Sequence, residues 1–466
     1  MSQKLLDVCE KQIAPQSVRF IDFLKAAPLL STVFVPEHNT RIEQILLTRF
    51  SKEEADLAIT FISAIRGSEA DCIKLKAFED QTPPIPFINY LLGSLYLYQN
   101  QHPKAIESLL KDSENPTSIE SHRLLIHALT QTKDYKTIAS LKESPLLKPH
   151  IKPQVQLEIA TEKQDILGIG RWTLLSLIDA FNHPSIILSI ASGILWFFFM
   201  AHLGEIRSLL SKTTLLCALG FLLGALSTTL ALWISSLEHD LLNFPTSGDT
   251  FYTFIHSILG IALREEIAKL FAFALLIPFL FRNGSDLKAL VIGSFVGLGF
   301  AIEENVAYFI SNNAFNTPTR FLTANFFHTT LTGINALALY RTFRYGVAGI
   351  NELMVSLPLT IIAHGLYDAF AISKETQWPI LSTVIYILFA RYYFNRLHSL
   401  RSNRRMTISL TGALVFSIST LCAIFISFQM VTLTPKLGLT IATYDIISCA
   451  LLLAAFFHEF KEPLYD

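Results

Sequence analysis

The chain has 466 residues, of which 51% are hydrophobic and only 16% are charged, and its formal net charge is −1. Soluble domains average roughly 25% charged residues, so this composition excludes an ordinary soluble protein, and the small net charge does not favour nucleic-acid binding. Residues 1–165 have ordinary densities of Lys, Glu and Asp, whereas apolar runs dominate from about residue 184. We therefore predict an all-α protein, with a soluble helical region followed by a polytopic transmembrane helical bundle.

The soluble region contains two stretches that align with each other at an offset of 32 residues. They are PFINYLLGSLYLYQNQHPKAIESLLK and SHRLLIHALTQTKDYKTIASLK, with matches such as Leu97 to Leu129 and Ile106 to Ile138. A helix, a short turn and a second helix at this period are typical of tetratricopeptide repeats, and an ordinary helical bundle is the alternative. Repeats of this kind would offer a binding surface to a protein partner.

The apolar region contains nine candidate membrane spans, because a span needs about 20 apolar residues. They lie at about 184–203, 213–235, 252–281, 286–310, 321–341, 350–372, 378–395, 406–432 and 436–457. From the third span onward, alternate loops are basic, and short basic loops stay in the cytoplasm. The basic residues of these loops are Arg282 and Lys288, then Arg341 and Arg344, then Arg391, Arg396, Arg401, Arg404 and Arg405.

This charge pattern predicts a multi-pass protein of the bacterial cytoplasmic membrane, with its C-terminus (HEFKEPLYD) in the cytoplasm. Nine spans would place the N-terminal region outside. However, the first thirty residues contain acids and lack a continuous apolar core, so we predict no signal peptide. Either one segment does not cross, which leaves the N-terminal region in the cytoplasm, or that region is exported; we favour the first.

Two of the apolar segments contain a pair of adjacent glutamates. In ALREEIAKLFAF, Glu265 and Glu266 lie four and three residues before Lys269, so either can share a helix face with this lysine, which we expect to neutralise one of them. In GSFVGLGFAIEENVAYF, residues 293, 297 and 301 are small and recur every four residues, which lets helices approach closely. This small-residue seam continues to Glu304 and Asn305, which places Glu304 in the packed interior.

Two further segments contain histidine. Asn325, His328, Thr332 and Asn335 form a polar stripe on one helix: TANFFHTTLTGINAL. In LTIIAHGLYDAF, His364 and Asp368 are four residues apart, so the carboxylate can accept a hydrogen bond from the imidazole and fix its tautomer.

The predicted spans put all four polar sets in the outer half of the bilayer, where ionisable groups are costly and usually functional. A carboxylate with two imidazoles can activate water and stabilise a tetrahedral intermediate, which is peptide-bond hydrolysis. The same donors could instead bind a divalent metal such as zinc, through Glu266, His328 and His364.

The motifs resemble those of the PrsW family of intramembrane proteases, relatives of CAAX prenyl endopeptidases and bacteriocin-processing membrane proteases. The relatives show Glu-Glu-x-x-x-Arg, Phe-x-x-x-His and His-x-x-x-Asn-like motifs. This chain has Lys269 one residue earlier than the arginine and Glu304 in the second motif, which favours PrsW. The resemblance covers about residues 250–375. The matching stretches are Glu265-Glu266-x-x-Lys269, Phe300-x-x-x-Glu304-Asn305, His328 and His364-x-x-x-Asp368.

The resemblance implies an intramembrane endopeptidase in which Glu265 and Glu266 supply the water-activating base. His328 and His364 would contact the transition state or a ligand. Glu304, Asn305 and Asp368 would support these residues. Lys269 would also support them, as the expected neutralising partner of one glutamate. PrsW-type proteases make the first cut in a membrane-anchored anti-sigma factor on its extracytoplasmic side, so the resemblance implies a substrate of that kind.

Four regions follow from these patterns. Residues 1–165 form the soluble helical region, 166–249 the linker and first two membrane segments, 250–375 the protease core, and 376–466 additional transmembrane helices.

One alternative function is a proton-coupled transporter with a Glu/His relay, which predicts polar residues through both leaflets and interrupted helices; the sequence shows neither. The other alternative is a membrane-anchored scaffold, which leaves the intramembrane charges without a role.

Overall fold

The protein is described by a computed structural model in which every described element is helical. The all-α prediction is therefore confirmed for the described part. The chain divides into two compact units, Met1–Glu162 and Lys163–Asp466. The structure describes residues 20, 21, 24, 44, 46–48, 50–79, 81, 85–180, 182–206, 208, 210–242, 250–281, 284–311, 314, 316–372, 378–401, 409–432 and 435–459. The predicted loop cations Arg282, Arg404 and Arg405 and the last seven residues of the C-terminus lie outside these ranges.

In the described part of the first unit, seven α-helices have defined bounds, and they pack around a core of aliphatic and aromatic side chains. They are α1 (Lys52–Ile65), α2 (Glu69–Ala77), α3 (Ile88–Tyr98), α4 (His102–Leu110), α5 (Ile119–Gln131), α6 (Tyr135–Leu141) and α7 (Pro153–Glu162). A capping box begins α1: Ser51 Oγ accepts from the Glu54 backbone N–H at 3.2 Å, and Glu54 Oε2 accepts from the Ser51 N–H at 2.9 Å.

The two aligned stretches of this unit each fold as a pair of helices, α3 with α4 and α5 with α6. In the first pair, a Cβ at Gly93 would lie 2.5 Å from Leu109 Cγ, so the glycine allows the two helices to approach closely. Leu129 and Ile138 of the second pair are fully buried. The tetratricopeptide identity of these pairs stays a prediction.

The second unit contains the apolar helices. They are α8 (Ile166–Ala180), α9 (Ile186–Leu203), α10 (Lys212–Leu242), α11 (Thr250–Ile255), a π-helical segment (His256–Ala262), α12 (Leu263–Ala274), α13 (Ile277–Leu280), α14 (Asp286–Ser311), α15 (Thr317–Leu322), α16 (Ala324–Tyr345), α17 (Val347–Ile372), α18 (Trp378–Leu400), α19 (Leu410–Thr432), α20 (Pro435–Ser448) and α21 (Ala450–Glu459). α14 and α16 pack against each other at the centre, and α9, α10 and α17 surround them.

Among the described residues, five helices are long and apolar enough to cross a membrane. Each corresponds to one of the nine predicted spans; the five helices are Ile186–Leu203, Lys212–Ser235, Asp286–Ile310, Val347–Ala371 and Leu410–Thr432. α16 and α18 have the length but carry polar and basic residues. The predicted spans 252–281 and 436–457 are each interrupted, by the π-helical segment and a break after α12 in one, and by a break between α20 and α21 in the other. The expectation of uninterrupted helices was therefore wrong for these two segments.

The small-residue seam of α14 is confirmed by its packing against α16. A Cβ at Gly293 would clash with the Cβ of Ala336, and one at Gly297 would clash with the His328 carbonyl oxygen. Ala301 is fully buried. The seam therefore allows α14 to approach the backbone at the histidine that the sequence singles out.

Candidate active site

The glutamate pair lies in the first turns of α12, directly after the π-helical segment. π-helical turns inside α-helices often occur at functional sites. Here the π-helical segment packs on α17, where a Cβ at Gly365 would clash with the backbone of Ile258. Gly365 follows His364, so the lack of a side chain brings the glutamates of α12 against this histidine.

Glu266 is fully buried, and its Oε1 is surrounded by donors. Lys269 Nζ donates to it at 2.6 Å, and His364 Nδ1 lies 2.9 Å away. A carboxylate oxygen can only accept from the imidazole, so Nδ1 of His364 carries a hydrogen and donates it to Glu266. The ion pair with Lys269 compensates the charge of this buried carboxylate.

Glu265 lies on a different side of α12 and faces a cavity. Its Oε2 makes no hydrogen bond with the described residues, although it lies 3.7 Å from His364 Nε2 and 3.9 Å from Lys269 Nζ. Among the described residues, Glu265, His328 and His364 can each offer one ligand atom such that all three atoms lie within 4.8 Å of one another. The two imidazole rings face each other edge to face, with centroids 4.9 Å apart.

His328 bridges the two carboxylate motifs. Its Nδ1 lies 3.0 Å from Lys269 Nζ and its Nε2 lies 3.1 Å from Glu304 Oε2. A charged lysine can only donate, so Nδ1 accepts and the hydrogen on Nε2 points to Glu304. Lys269 therefore contacts both sides of the site, and its Nζ also lies 4.5 Å from the centre of the Phe300 ring.

Arg320 of the short helix α15 completes the polar cluster. Its Nη2 lies 3.2 Å from Glu304 Oε2, its Nε donates to Asn305 Oδ1 at 2.5 Å, and its guanidinium stacks 3.8 Å above the Tyr308 ring. Asn305 in turn donates to Asn325 Oδ1 at 2.6 Å. Residue spacing in the sequence did not single out Arg320, which lies just before the predicted span 321–341. Its position in a loop otherwise poor in cations was the one signal that could have singled it out.

These groups line a cavity of about 700 Å³. The ionisable side chains on its wall are Glu265, Glu304, Arg320, His328, His364 and Asp368. Around them lie the hydroxyl-bearing residues Tyr308, Thr319, Thr323, Tyr367, Ser382, Thr383, Tyr386 and Ser448. The cavity is thus a polar chamber inside an otherwise apolar unit, as a reaction with water in a membrane requires.

Comparison with known protein families identifies the segment that holds this cavity. Residues 212–394 match the family described as PrsW family intramembrane metalloprotease. This segment is a PrsW-family protease domain. The match contains all of the predicted site residues, from Glu265 to Asp368. No curated protein and no solved structure matches the chain.

The protein is therefore an intramembrane peptidase with several apolar membrane helices. The family assignment does not favour the transporter. The interrupted segments do not support a transporter either. The polar cluster lies at one end of α14, α16 and α17 and does not extend along these helices.

The donor set of the PrsW domain fits the metal dependence that the family description states. One carboxylate and two imidazoles are ligands that zinc accepts in catalytic sites. Glu266 holds His364 by Nδ1 and directs Nε2 at the ligand position, which is the outer-shell arrangement of metal-binding histidines. The cavity wall also has three carboxylates against one guanidinium, an excess of negative charge that a divalent cation would neutralise.

The structure brings all eight sequence-predicted site residues into one connected cluster, but it changes two details. The carboxylate whose oxygen converges with the histidines is that of Glu265, not Glu266. The carboxylate that fixes the His364 ring is that of Glu266, because Asp368 Oδ2 lies 3.4 Å from Nε2, on the other side of the ring. Both changes follow from the rotation of α12 about its axis relative to α17, and this rotation cannot be predicted from residue spacing.

Proposed function

We propose that the PrsW domain hydrolyses a peptide bond of a membrane-anchored protein near the outer face of the bilayer, with Glu265 activating the water. The observation that carries this assignment is the different state of the two neighbouring glutamates. Glu266 is fully buried and bound to Lys269 and His364 through Oε1, and it does not line the cavity, whereas Glu265 lines the cavity and its Oε2 has no hydrogen-bond partner among the described residues. A base must reach the water whose proton it takes.

In this mechanism Glu265 takes a proton from the water as its oxygen attacks the carbonyl carbon. Glu266 does not react; it holds His364 with Nδ1 protonated, which leaves Nε2 facing the reaction. Nε2 lies 3.7 Å from Glu265 Oε2, beyond direct hydrogen-bond reach, so the proton passes between them through one water and then from Nε2 to the leaving amine. The buried ion pair between Glu266 and Lys269 therefore contributes by fixing the orientation of the His364 ring.

The carbonyl oxygen of the scissile bond becomes negatively charged during the attack, and the other side of the cavity supplies cationic and N–H groups. Arg320 Nη2 pairs with Glu304 Oε2 at 3.2 Å on the cavity wall, and His328 carries its hydrogen on Nε2 next to the same carboxylate. Preorganised donors of this kind typically contribute 10²- to 10³-fold each to the rate. We assign Arg320 as the principal donor because its charge does not depend on pH.

Glu265, His328 and His364 would hold a divalent ion, and a bound ion would supply Lewis-acid polarisation of the water and the carbonyl. For Nε2 of His328 to become a ligand, its hydrogen must leave, and Glu304 is the adjacent acceptor at 3.1 Å. With Glu265 as a ligand and Glu304 holding the hydrogen of His328, Asp368 would be the carboxylate of the cavity wall left to accept a proton.

The position of the cluster along its helices supports cleavage near the outer face. His328 lies in the second turn of α16, and Arg341 and Arg344 lie at the other end of the same helix. At 1.5 Å per residue, the thirteen residues from 328 to 341 span about 20 Å. Basic residues next to membrane helices mark the cytoplasmic side, so the cluster belongs to the opposite half of the bilayer.

The cavity also suits an unwound substrate segment. A peptide bond inside a transmembrane helix has its carbonyl oxygen hydrogen-bonded within the helix, so the segment must open before water can attack. The polar wall of the cavity can satisfy the backbone groups that open up, and its volume of about 700 Å³ holds several residues. By resemblance, an anti-sigma-factor-like protein with a single membrane anchor is the substrate class we propose.

The test is a comparison of membrane proteomes from cells expressing the wild type and Glu265→Gln. New N-terminal peptides are identified by mass spectrometry, and each cleavage is repeated with a tagged single-pass protein, with and without a chelator. We expect fragments with the wild type alone, because the amide cannot take the proton. Glu303→Gln is the matched control: Glu303 is a neighbouring acid of α14, but it lines an apolar groove and not this cavity.

Two results would contradict the proposal. Identical proteomes from the wild type and Glu265→Gln would remove the glutamate from the chemistry. Equal loss in Glu303→Gln would show that any acid in this region matters only for folding. Loss of cleavage with the chelator, and its return on adding zinc, would assign the water activation to the metal-bound form.

A further inference from the structure

The helix pair α20 and α21 lies after the matched PrsW segment, yet it forms part of the cavity wall. Ser448 and Leu452 line the cavity together with the site residues. Residues 445–449 also contact α15, the six-residue helix that carries Arg320. The C-terminal segment is thus in direct contact with the element that supplies the only guanidinium on the described cavity wall.

Asp445 makes the best-defined of these contacts. The backbone N–H of Asn316 donates to its Oδ2 at 3.2 Å. Asn316 is the N-cap residue directly before α15, with a left-handed backbone (φ 64°) and no capping hydrogen bond from its own side chain. One turn further, Thr319 Oγ1 lies 3.2 Å from Cys449 Sγ and 3.5 Å from Ser448 Oγ.

The other end of α15 is anchored by the core of the unit. Trp196 Nε1 donates to the Phe321 carbonyl at 2.6 Å, and the Tyr386 hydroxyl donates to the Leu322 carbonyl at 2.6 Å. A helix of six residues has too few internal hydrogen bonds to hold its own geometry. Its orientation, and with it the direction of Arg320, therefore depends on these anchors at both ends.

We propose that Asp445 is a positioning residue for Arg320: it anchors the start of α15 from the C-terminal helix pair and so aims the guanidinium at Glu304 and the cavity. The assignment rests on the proposed function, in which Arg320 binds the developing oxyanion. It gives a role to an acid that lies in a C-terminal apolar segment outside the family match. The adjacent Tyr444 is 78% exposed and has no place in this arrangement.

The first test measures the geometry without using activity. Thr319→Cys puts a sulfur atom close to that of Cys449, so mild oxidation of the full chain with copper-phenanthroline should form a disulfide, which peptide mass spectrometry detects. We expect Asp445→Ala to slow its formation at least severalfold. Asp445→Asn, which keeps an acceptor oxygen, and Tyr444→Ala should leave the rate unchanged. An equal rate in Asp445→Ala would overturn the anchoring of α15.

The second test is a double-mutant cycle on cleavage of a tagged membrane protein that the wild type cuts and Glu265→Gln does not. Asp445→Ala should lower kcat about tenfold with little change in KM, the size expected for a lost hydrogen bond to a charged group. Asp445→Asn should restore most of this loss. In the Arg320→Gln background the same substitution should have no further effect, because the arginine through which Asp445 acts is gone.

The outcomes separate the two proposals. If Asp445→Ala lowers kcat by the same factor with and without Arg320, Asp445 acts on general stability and the positioning role is wrong. If the wild type cuts no membrane protein, the proposed function fails, while the disulfide rates still decide whether Asp445 anchors α15.

Discussion

Glu266 Oε1 lies 2.9 Å from Nδ1 of His364, 98 residues further along the chain, and 2.6 Å from Nζ of Lys269 in its own helix. This fully buried triad gives the two adjacent glutamates different roles. Glu266 orients the imidazole and is neutralised by the lysine, which leaves Glu265 to face the cavity. The predictions below test this division and the packing that produces it.

Replacement of each glutamate by glutamine should abolish cleavage, but the two substitutions should differ in their effect on stability. Glu265→Gln should abolish cleavage and leave the thermal unfolding midpoint unchanged, because its cavity-facing oxygen makes no hydrogen bond with the described residues. Glu266→Gln should abolish cleavage and lower stability by about 3–5 kcal/mol, because it leaves Lys269 buried without its counter-charge. Unfolding in detergent, followed by differential scanning fluorimetry, measures the difference. Equal midpoints would contradict the division of roles.

Restoring neutrality should recover stability without activity. Lys269→Met alone should destabilise the protein by about 3–5 kcal/mol, because the Glu266 carboxylate then lacks its cation in a dry environment. Adding Glu266→Gln to Lys269→Met should regain much of that stability, since no buried charge remains. The double variant should still cleave nothing. A double variant no more stable than the single one would show that the ion pair is not what holds these helices.

Metal content should follow the converging trio. Zinc retained per chain after dialysis, measured by mass spectrometry of the purified protein, should be about one for the wild type loaded with zinc. It should fall at least tenfold in His328→Ala and His364→Ala, which each remove one ligand. His398→Ala is the control, because this exposed histidine near the end of α18 lies outside the cavity. Unchanged zinc in both site variants would place the metal elsewhere.

Cleavage should depend on the close contact between α14 and α16. Gly297→Ala would force its methyl group into the His328 carbonyl oxygen, so the helices must separate at the site. We expect a stability loss of about 1–3 kcal/mol and a larger loss of cleavage, because His328 moves. Gly193→Ala is the matched control: its methyl group would meet the Ile302 side chain at 3.4 Å, an ordinary contact. Equal effects of the two substitutions would mean that the contact does not position His328.

The sequence predicted the helices, their apolar character and the residues of the site because each depends on local spacing. Small residues every four positions imply close helix packing, and acids or imidazoles in an apolar helix imply a shared polar site. The contact between Gly297 and the His328 backbone confirms the first inference. The same reasoning missed the interruptions at 256–262 and 449, because an apolar run does not reveal where its hydrogen-bonding pattern changes.

Adjacent positions on one helix already imply that Glu265 and Glu266 point about 100° apart, since 3.6 residues make a turn. The sequence by itself could not determine which of them faces the cavity, because that depends on how α12 is rotated against its neighbours. The tertiary structure decided it: the π-helical segment packs on α17 where Gly365 leaves room, and this turns Glu266 towards His364. Arg320 likewise entered the site only through tertiary contacts: its guanidinium binds Glu304 and Asn305 of α14, and α20 holds the start of its helix α15.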